Sequence, residues 1–464
     1  NMKDLAYFSG LLGSAQLDQN SIASSRELLN RFVSFYSNAS YTYDDKYVLS
    51  GSIRWDRSNL WGTNSKYQNK PLWSVGGSWN IYKEKFFQAD FVDMLKLRAS
   101  YGIGGNIGRN TAPYLIASYY DSSLVDGMAG SVNTPPNKDI RWEKTTTVNV
   151  GVDFALFRHR LSGTIEYYNK YSVDLLAAIN GSPTQGFGYT TLMTNNGKMV
   201  NRGVEITLSG EIIRQKDFSW NASLLYAFNR NKVKHISVQP SLWDSRISMP
   251  TSYPMVGKPL YGIYAYKWAG LNENGDPQVY DAENNVTSGP ARDYHALVYC
   301  GTTVPIHNAS LTNVLRYKGF EFSAMLILDA GHKLRSSNIP SINMSNGRIT
   351  STAKGIVDRW TQPGDVTDVP RLLFSNDTEN FNTHRTELYR YSDLFVYDAS
   401  NIRLSNISLA YRVPAHWCKK ISLSGARLQF NVENVATFAF DSKANYDLGG
   451  KVKPNYVWGL YLNF

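Results

Sequence analysis

Apolar and polar residues alternate with a period of two along much of the chain. Val148, Val150, Val152 and Phe154 interleave with Thr147, Asn149, Gly151 and Asp153, and Leu161, Gly163, Ile165 and Tyr167 interleave with Arg160, Ser162, Thr164 and Glu166. The pattern returns in Val204, Ile206, Leu208 and Ile212 against Glu205, Thr207, Ser209 and Glu211, and in Ala426, Leu428, Phe430 and Val432 against Arg427, Gln429, Asn431 and Glu433. The closing YVWGLYLNF places Tyr456, Trp458, Leu460, Leu462 and Phe464 in one wholly apolar set. Successive side chains of a β-strand point to opposite faces, so each stretch describes a strand with one greasy and one polar face.

The same reading predicts thirteen strands, at 34–43, 46–56, 71–82, 94–103, 144–156, 159–169, 202–213, 217–228, 308–317, 319–329, 402–412, 425–434 and 454–464. Most exceed the roughly five or six residues of globular strands and match the roughly 9 to 11 that cross a bilayer at a tilt. Between Leu404 and Ile407 the alternation slips, which predicts a bulge. Connections at 43–46, 155–160, 212–217 and 317–320 are short, whereas those near 104–143, 170–201, 229–307 and 330–401 are long. Short turns at one end and long loops at the other describe an outer-membrane barrel. A sandwich or propeller alternates too, but no repeat of roughly 40 to 50 residues appears.

With the short turns periplasmic, the first and thirteenth strands both descend and Phe464 ends on the periplasmic side. Cys300 then lies in an extracellular loop and Cys418 in a periplasmic turn, where they are unable to pair. Residues 1–33 read as an extracellular loop region and 34–464 as barrel with long extracellular loops. The fold class is all-β, a transmembrane antiparallel β-barrel.

Composition agrees. Aromatic residues make up 13% of the 464, with 31 Tyr, yet the mean hydropathy is −0.35. A barrel with a polar lumen needs apolar side chains on only one face of each strand. Tyr47, Trp55, Trp73, Trp79, Tyr167, Trp220 and Trp458 are candidates for interfacial girdles. No apolar run is long enough for a transmembrane helix, and no amino-terminal stretch resembles a signal peptide. The 48 basic and 38 acidic residues give +10, but they are scattered, with no recognition helix or basic tract, so nucleic acid is not implied. Two cysteines without CxxC spacing suggest neither a disulfide framework nor a zinc site.

Three motifs invite chemistry and fail. GIGGNIG at 102–108 lacks the G-x-G-x-x-G spacing, having Ile107 at the last position, and Thr111, Ala112 and Pro113 follow where a helix would start. NENGDPQVYDAE at 272–283 offers Asn272, Asn274, Asp276 and Glu283 near calcium-loop spacing, but Pro277 stands where that loop needs Gly, and an exposed turn is the default. The seven histidines form no HExxH set and no GxSxG accompanies them. No metal, cofactor or catalysis is therefore predicted.

The sequence also resembles a family, the SusC/RagA type of TonB-dependent outer-membrane transporter of Bacteroidota. The resemblance rests on FYSNASYTYDDKYVLSGSIRWDRS (35–58), LKLRASYGIGGNIG (95–108), the run from Ile140 to Leu176, the run from Asn195 to Val233, RYKGFEFSAML (316–326), IRLSNISLAYRVP and LQFNVENVATF. Such transporters are barrels of about 22 strands around an amino-terminal plug. They pair with a SusD-like surface lipoprotein and import oligosaccharides or peptides with energy from the TonB complex.

The resemblance implies that this chain is the carboxy-terminal part of a barrel. The plug, the TonB box and about nine strands are expected outside it, on another chain or segment, because an open sheet would leave backbone unpaired in lipid. It further implies that the closing strand, through Phe464, Leu462, Leu460, Trp458 and Tyr456, faces outer-membrane lipid and is read as an assembly signal. Aromatics of the long loops are the candidate ligand contacts: Trp61, Tyr67, Trp243, Tyr261, Tyr264, Tyr266, Trp268 and Trp360, whose rings can stack on sugars or hold peptide side chains. Against this, YGIYAYKWAG (261–270) alternates like a short strand whose tyrosines pack the loop. The leading expectation is import of oligosaccharides, with oligopeptides as the nearest variant and a passive porin or an outer-membrane enzyme as further alternatives.

Overall fold

The computed structural model describes residues 31–464 apart from 61, 63, 65–66, 68–70, 109–112, 123–126, 183, 185–190, 241–244, 290–292, 341, 346–347, 373–382 and 449–452. Thirteen strands form one sheet in sequential order. They are β1 (Phe32–Tyr43), β2 (Tyr47–Ser58), β3 (Leu72–Asn80), β4 (Val92–Asn106), β5 (Glu143–Leu156), β6 (Leu161–Asn180) and β7 (Thr191–Arg214). The rest are β8 (Phe218–His235), β9 (His307–Tyr317), β10 (Phe320–Ala330), β11 (Asn401–Arg412), β12 (Gly425–Ala439) and β13 (Asn455–Asn463). Each is a strand that the alternation predicts, and every neighbouring pair is antiparallel.

The register converts alternation into two faces, because residues directly opposed across a ladder share a face. One row runs through Tyr43, Tyr47, Trp79, Leu97, Val152, Ile165, Ile206 and Tyr226. The next row lies on the other face and reads Ser78, Arg98, Gly151, Glu166 and Glu205. A one-residue slip anywhere would mix these faces, so the patterning fixes the register.

The closing strand obeys the same rule. Ala426, Leu428, Phe430 and Val432 oppose Leu462, Leu460, Trp458 and Tyr456, while Arg427, Gln429 and Asn431 oppose Tyr461, Gly459 and Val457. Phe430 and Trp458 bring their ring centroids to 4.2 Å. Phe464 lies just past the ladder and is 91% exposed.

The predicted slip in β11 is a bulge. Leu404 opposes Ala436 and Asn406 opposes Glu433, leaving Ser405 outside the pairing, and Asn434 across from it has φ 53°. Several strands outrun their predicted ends, most of all β6, β7 and β8, which reach 20, 24 and 18 residues. The cause in β6 and β7 is a second bulge, with a register shift between Ser172 and Leu175 and Asp174 at φ 56°. It breaks the period-two signal although the ladder continues. Tyr167 consequently lies mid-strand rather than at a girdle. The aromatic pair Tyr47 and Trp79, 6.4 Å apart, does lie at the strand ends.

Connections at 44–46, 81–91, 157–160, 215–217, 318–319 and 413–424 fall at one end of the sheet, and those at 59–71, 107–142, 181–190, 236–306, 331–400 and 440–454 at the other. Cys300 and Cys418 thus occupy opposite ends, and both are free thiols. The loops 236–306 and 331–400 fold together. Gly262–Tyr266 pairs with Leu297–Thr302, Lys333–Arg335 pairs with Val396–Asp398, and Tyr266 bridges Ser392. Their shared core gathers Tyr264, Tyr266, Val279, Ala296, Leu297 and Leu388, the last from helix α1 (Thr383–Arg390).

Candidate functional site

The polar face carries ion pairs that span strands. Arg98 of β4 reaches Asp153 of β5 at 3.2 Å and also pairs with Glu166 of β6. Thr164 donates to the same Asp153 at 2.9 Å. Gly151 sits directly opposite Arg98, and a Cβ there would lie 3.0 Å from the guanidinium. The empty position gives the arginine a path across β5. Further along, Glu321 holds Arg316 at 2.7 Å and Arg427 at 3.1 Å, and Asp329 holds Arg403 at 2.9 Å. Such half-exposed pairs contribute about 1 kcal/mol or less each, so their main effect is a hydrated, charged wall.

At the long-loop end this wall meets an aromatic mouth. Asn195 clamps the segment before β5: its Oδ1 accepts from the Arg141 backbone N–H at 3.0 Å, and its amide donates to the carbonyls of Arg141 at 2.9 Å and Asp174 at 2.7 Å. Arg141 donates to the Asp174 carboxylate at 2.7 Å and lies 4.6 Å from the Tyr67 ring centroid. Trp142, next in sequence, packs over Gly105, where a Cβ would come within 2.9 Å of the indole. Two cavities share Trp142 and Leu72. One, about 370 Å³, is bounded by Arg54, Asp56 and Asn106 of the polar face; the other, about 260 Å³, takes in Tyr67, Arg141 and Asp174 above Trp73 and Lys144, whose register places them on the apolar face at the rim. Ring faces beside paired charges offer stacking and hydrogen bonding together, the combination that orients polar oligomers.

Among the described residues, Tyr67 is the one predicted aromatic that lines these cavities. Trp61 and Trp243 lie outside the described residues. Tyr261 is exposed on the loop module, but Tyr264 and Tyr266 are 1% and 0% exposed and build its core. The alternation in GIYAY is that of a short, fully buried strand, so those two rings pack protein instead of facing a ligand. Trp268 is half-buried and donates to Asp368 at 2.9 Å, while the Trp360 ring covers Gly275, where a Cβ would come within 2.4 Å. Trp142 lies outside the alternating stretches, and the sequence mark of its position is Gly105, a glycine inside a strand, which signals a close approach.

The motif at 272–283 folds as two tight turns. Asn272 Oδ1 accepts from the N–H groups of Asn274 and Asp276 at 2.9 Å each. The Asp276 carboxylate is taken by Arg385 at 2.6 Å and Arg371 at 3.1 Å. Two guanidiniums occupy the charge a cation would need, and no group of three His, Cys, Asp or Glu fit to hold a metal occurs among the described residues. Much of GIGGNIG is part of strand β4. A Cβ at Gly102 would come 2.7 Å from Ser74 Cβ and 3.0 Å from the Trp73 carbonyl, which accounts for its smallness without a phosphate.

Residues 4–435 match the family model described as TonB dependent receptor-like, beta-barrel. The TonB-dependent receptor P3 of Formosa agariphila is 26% identical over 476 residues, covering 97% of this chain and 45% of that protein. The TonB-dependent receptor SusC of Bacteroides thetaiotaomicron is 25% identical over 427 residues, covering 87% of this chain and 40% of its own length. The chain thus spans less than half of these curated relatives. Among solved structures, that of the RagAB peptide transporter superposes with a TM-score of 0.75 at 23% identity, covering 94% of this chain and 48% of that one, a likeness of fold. The chain belongs to the TonB-dependent receptor-like β-barrel family, whose model covers its outer-membrane barrel region.

Proposed function

We propose that this chain forms the wall and extracellular mouth of a receptor that imports oligosaccharides in a TonB-dependent cycle. Cargo is captured at the mouth under a SusD-like surface lipoprotein. The plug and the remaining strands are supplied by the rest of the receptor, and TonB rearranges the plug to open the lumen. No bond of the cargo is made or broken.

The observation that carries the oligosaccharide reading is the mouth around Trp142. Its indole borders the polar-face cavity with the Arg54–Asp56 pair beside it, and the Tyr67 ring with the Arg141–Asp174 pair continues this aromatic and charged surface over the rim. Pyranose rings present that alternation of apolar face and hydroxyl edge. Oligopeptides are the second reading, favoured by the fold shared with the RagAB peptide transporter. Calorimetry on the intact receptor, with panels of oligosaccharides and oligopeptides, tests the choice. Trp142→Ala and Tyr67→Ala should each weaken oligosaccharide binding about tenfold, on the order of one stacked ring. Binding of peptides alone, with no oligosaccharide response, would replace the first reading by the second. Uptake that persists without TonB would remove the energised mechanism.

A further inference from the structure

The connection between β11 and β12 is unlike the other turns at its end. Residues 412–424, RVPAHWCKKISLS, include Arg412, Lys419 and Lys420 and no Asp or Glu. They fold around the short helix α2 (Ala415–Lys419). Cys418, on the inner side of this helix, is fully buried, whereas Trp417 is 54% and Ile421 68% exposed. Ile421 follows two residues past the helix, where its N–H donates to the Cys418 carbonyl at 3.0 Å, so both exposed side chains stand on one compact turn. Ser422 ends the turn at φ 60°. Backbone bonds from Val413 to Ala426 and from Ser424 to Asn463, 3.0 and 2.8 Å, hold the excursion onto β12 and β13. Large apolar side chains are thus displayed on a rigid base beside unopposed positive charge.

We propose that this turn is an interfacial anchor for anionic phospholipid, with Trp417 and Ile421 seated at the headgroup–acyl boundary and Lys419 and Lys420 on lipid phosphate. The charge selects an anionic partner. That the partner is a bilayer follows from further exposed aromatics at this end: Phe86 and Phe157 in their turns, Phe320 beside the 318–319 turn and, past the last strand, Phe464. A protein partner would touch one patch, whereas a membrane interface meets several turns along the sheet edge. The inference rests on family membership and is independent of the cargo.

The test uses the intact receptor in nanodiscs of phosphatidylcholine with graded phosphatidylglycerol. Native mass spectrometry counts retained lipid, and quenching by lipids brominated along the acyl chain reports depth. The double variant Lys419→Gln, Lys420→Gln should retain phosphatidylglycerol about 25-fold less tightly, roughly fivefold per lysine. The Lys→Arg pair should restore retention. The quenchable fluorescence should drop in Trp417→Phe, and inorganic phosphate should fail to displace the lipid. Equal quenching in wild type and Trp417→Phe would put the indole in water and overturn the anchor. Displacement by inorganic phosphate would make the turn a free-phosphate site, and unchanged retention in the Gln pair would remove the lysines from lipid binding; either result overturns the proposal.

Discussion

Arg98 and Gly151 face each other across β4 and β5, and the bare Cα at 151 is what lets the guanidinium cross to Glu166. Gly163, on β6, differs: a Cβ there would lie 2.5 Å from the Thr207 carbonyl, which is backbone and cannot step aside. Gly151→Ala should therefore displace a flexible side chain and cost about 1 kcal/mol or less. Gly163→Ala should cost about 1 to 3 kcal/mol, the range for overpacking. Urea unfolding of the reconstituted receptor, followed by the heat-modifiable shift on gels, ranks them; the reverse order would contradict the packing described.

Asp276 ties the two long loops into one unit, since Arg371 and Arg385 come from the loop that does not contain it. Asp276→Asn leaves two guanidiniums, each with under a quarter of its side chain exposed, facing a neutral amide. A loss of about 2 kcal/mol is expected, below the range for a wholly buried pair. Hydrogen exchange should then speed up in both Trp268–Tyr280 and Thr383–Arg390 while the barrel strands stay protected. Acceleration in only one loop would show that the pair does not couple them.

His332 begins the second long loop. Burial lowers its pKa below the ordinary 6.5, partly opposed by Asp329 and Asp398, and its Nδ1 has no hydrogen-bond partner among the described residues. The unfolded chain therefore binds the proton first. The contribution to stability is full above pH 6.5 and is lost as pH falls from there toward the depressed folded value. Limited proteolysis of the loop module between pH 5 and 7.5 should show cleavage rising toward acid, and His332→Gln should flatten the profile. A variant that keeps the wild-type slope would assign it elsewhere.

Burial pushes the Cys300 thiol up to about 11, so almost none is thiolate at neutral pH. Cys418 has no exposed surface. Neither should react with maleimide within minutes at pH 7 in the folded receptor, and both should react after denaturation. A disulfide between them on mild oxidation would require the two ends of the sheet to meet, which the topology forbids.

Most of the wall was legible in the sequence because a barrel strand must alternate over its full width, as at Val148–Phe154 and Ala426–Val432. The slip at Leu404–Ile407 even located a bulge. Legibility failed where the ladder continues through irregular backbone: Asp174 takes a positive φ, and the extensions of β6 and β7 beyond it lose the period. In the loops, Tyr264 and Tyr266 look like any exposed aromatics until their partners from 297, 388 and 392 are known, and those contacts are set by tertiary packing far along the chain. The pairing of Trp142 with Gly105 was hidden for the same reason.

One face of this sheet meets lipid and the other an aqueous lumen. Single nitroxide labels at Val152, Asp153, Ile165 and Glu166 of the intact, reconstituted receptor measure it by power saturation. Labels at 152 and 165 should be accessible to oxygen, and those at 153 and 166 to a water-soluble nickel chelate. Equal access of the chelate to all four positions would contradict the claim.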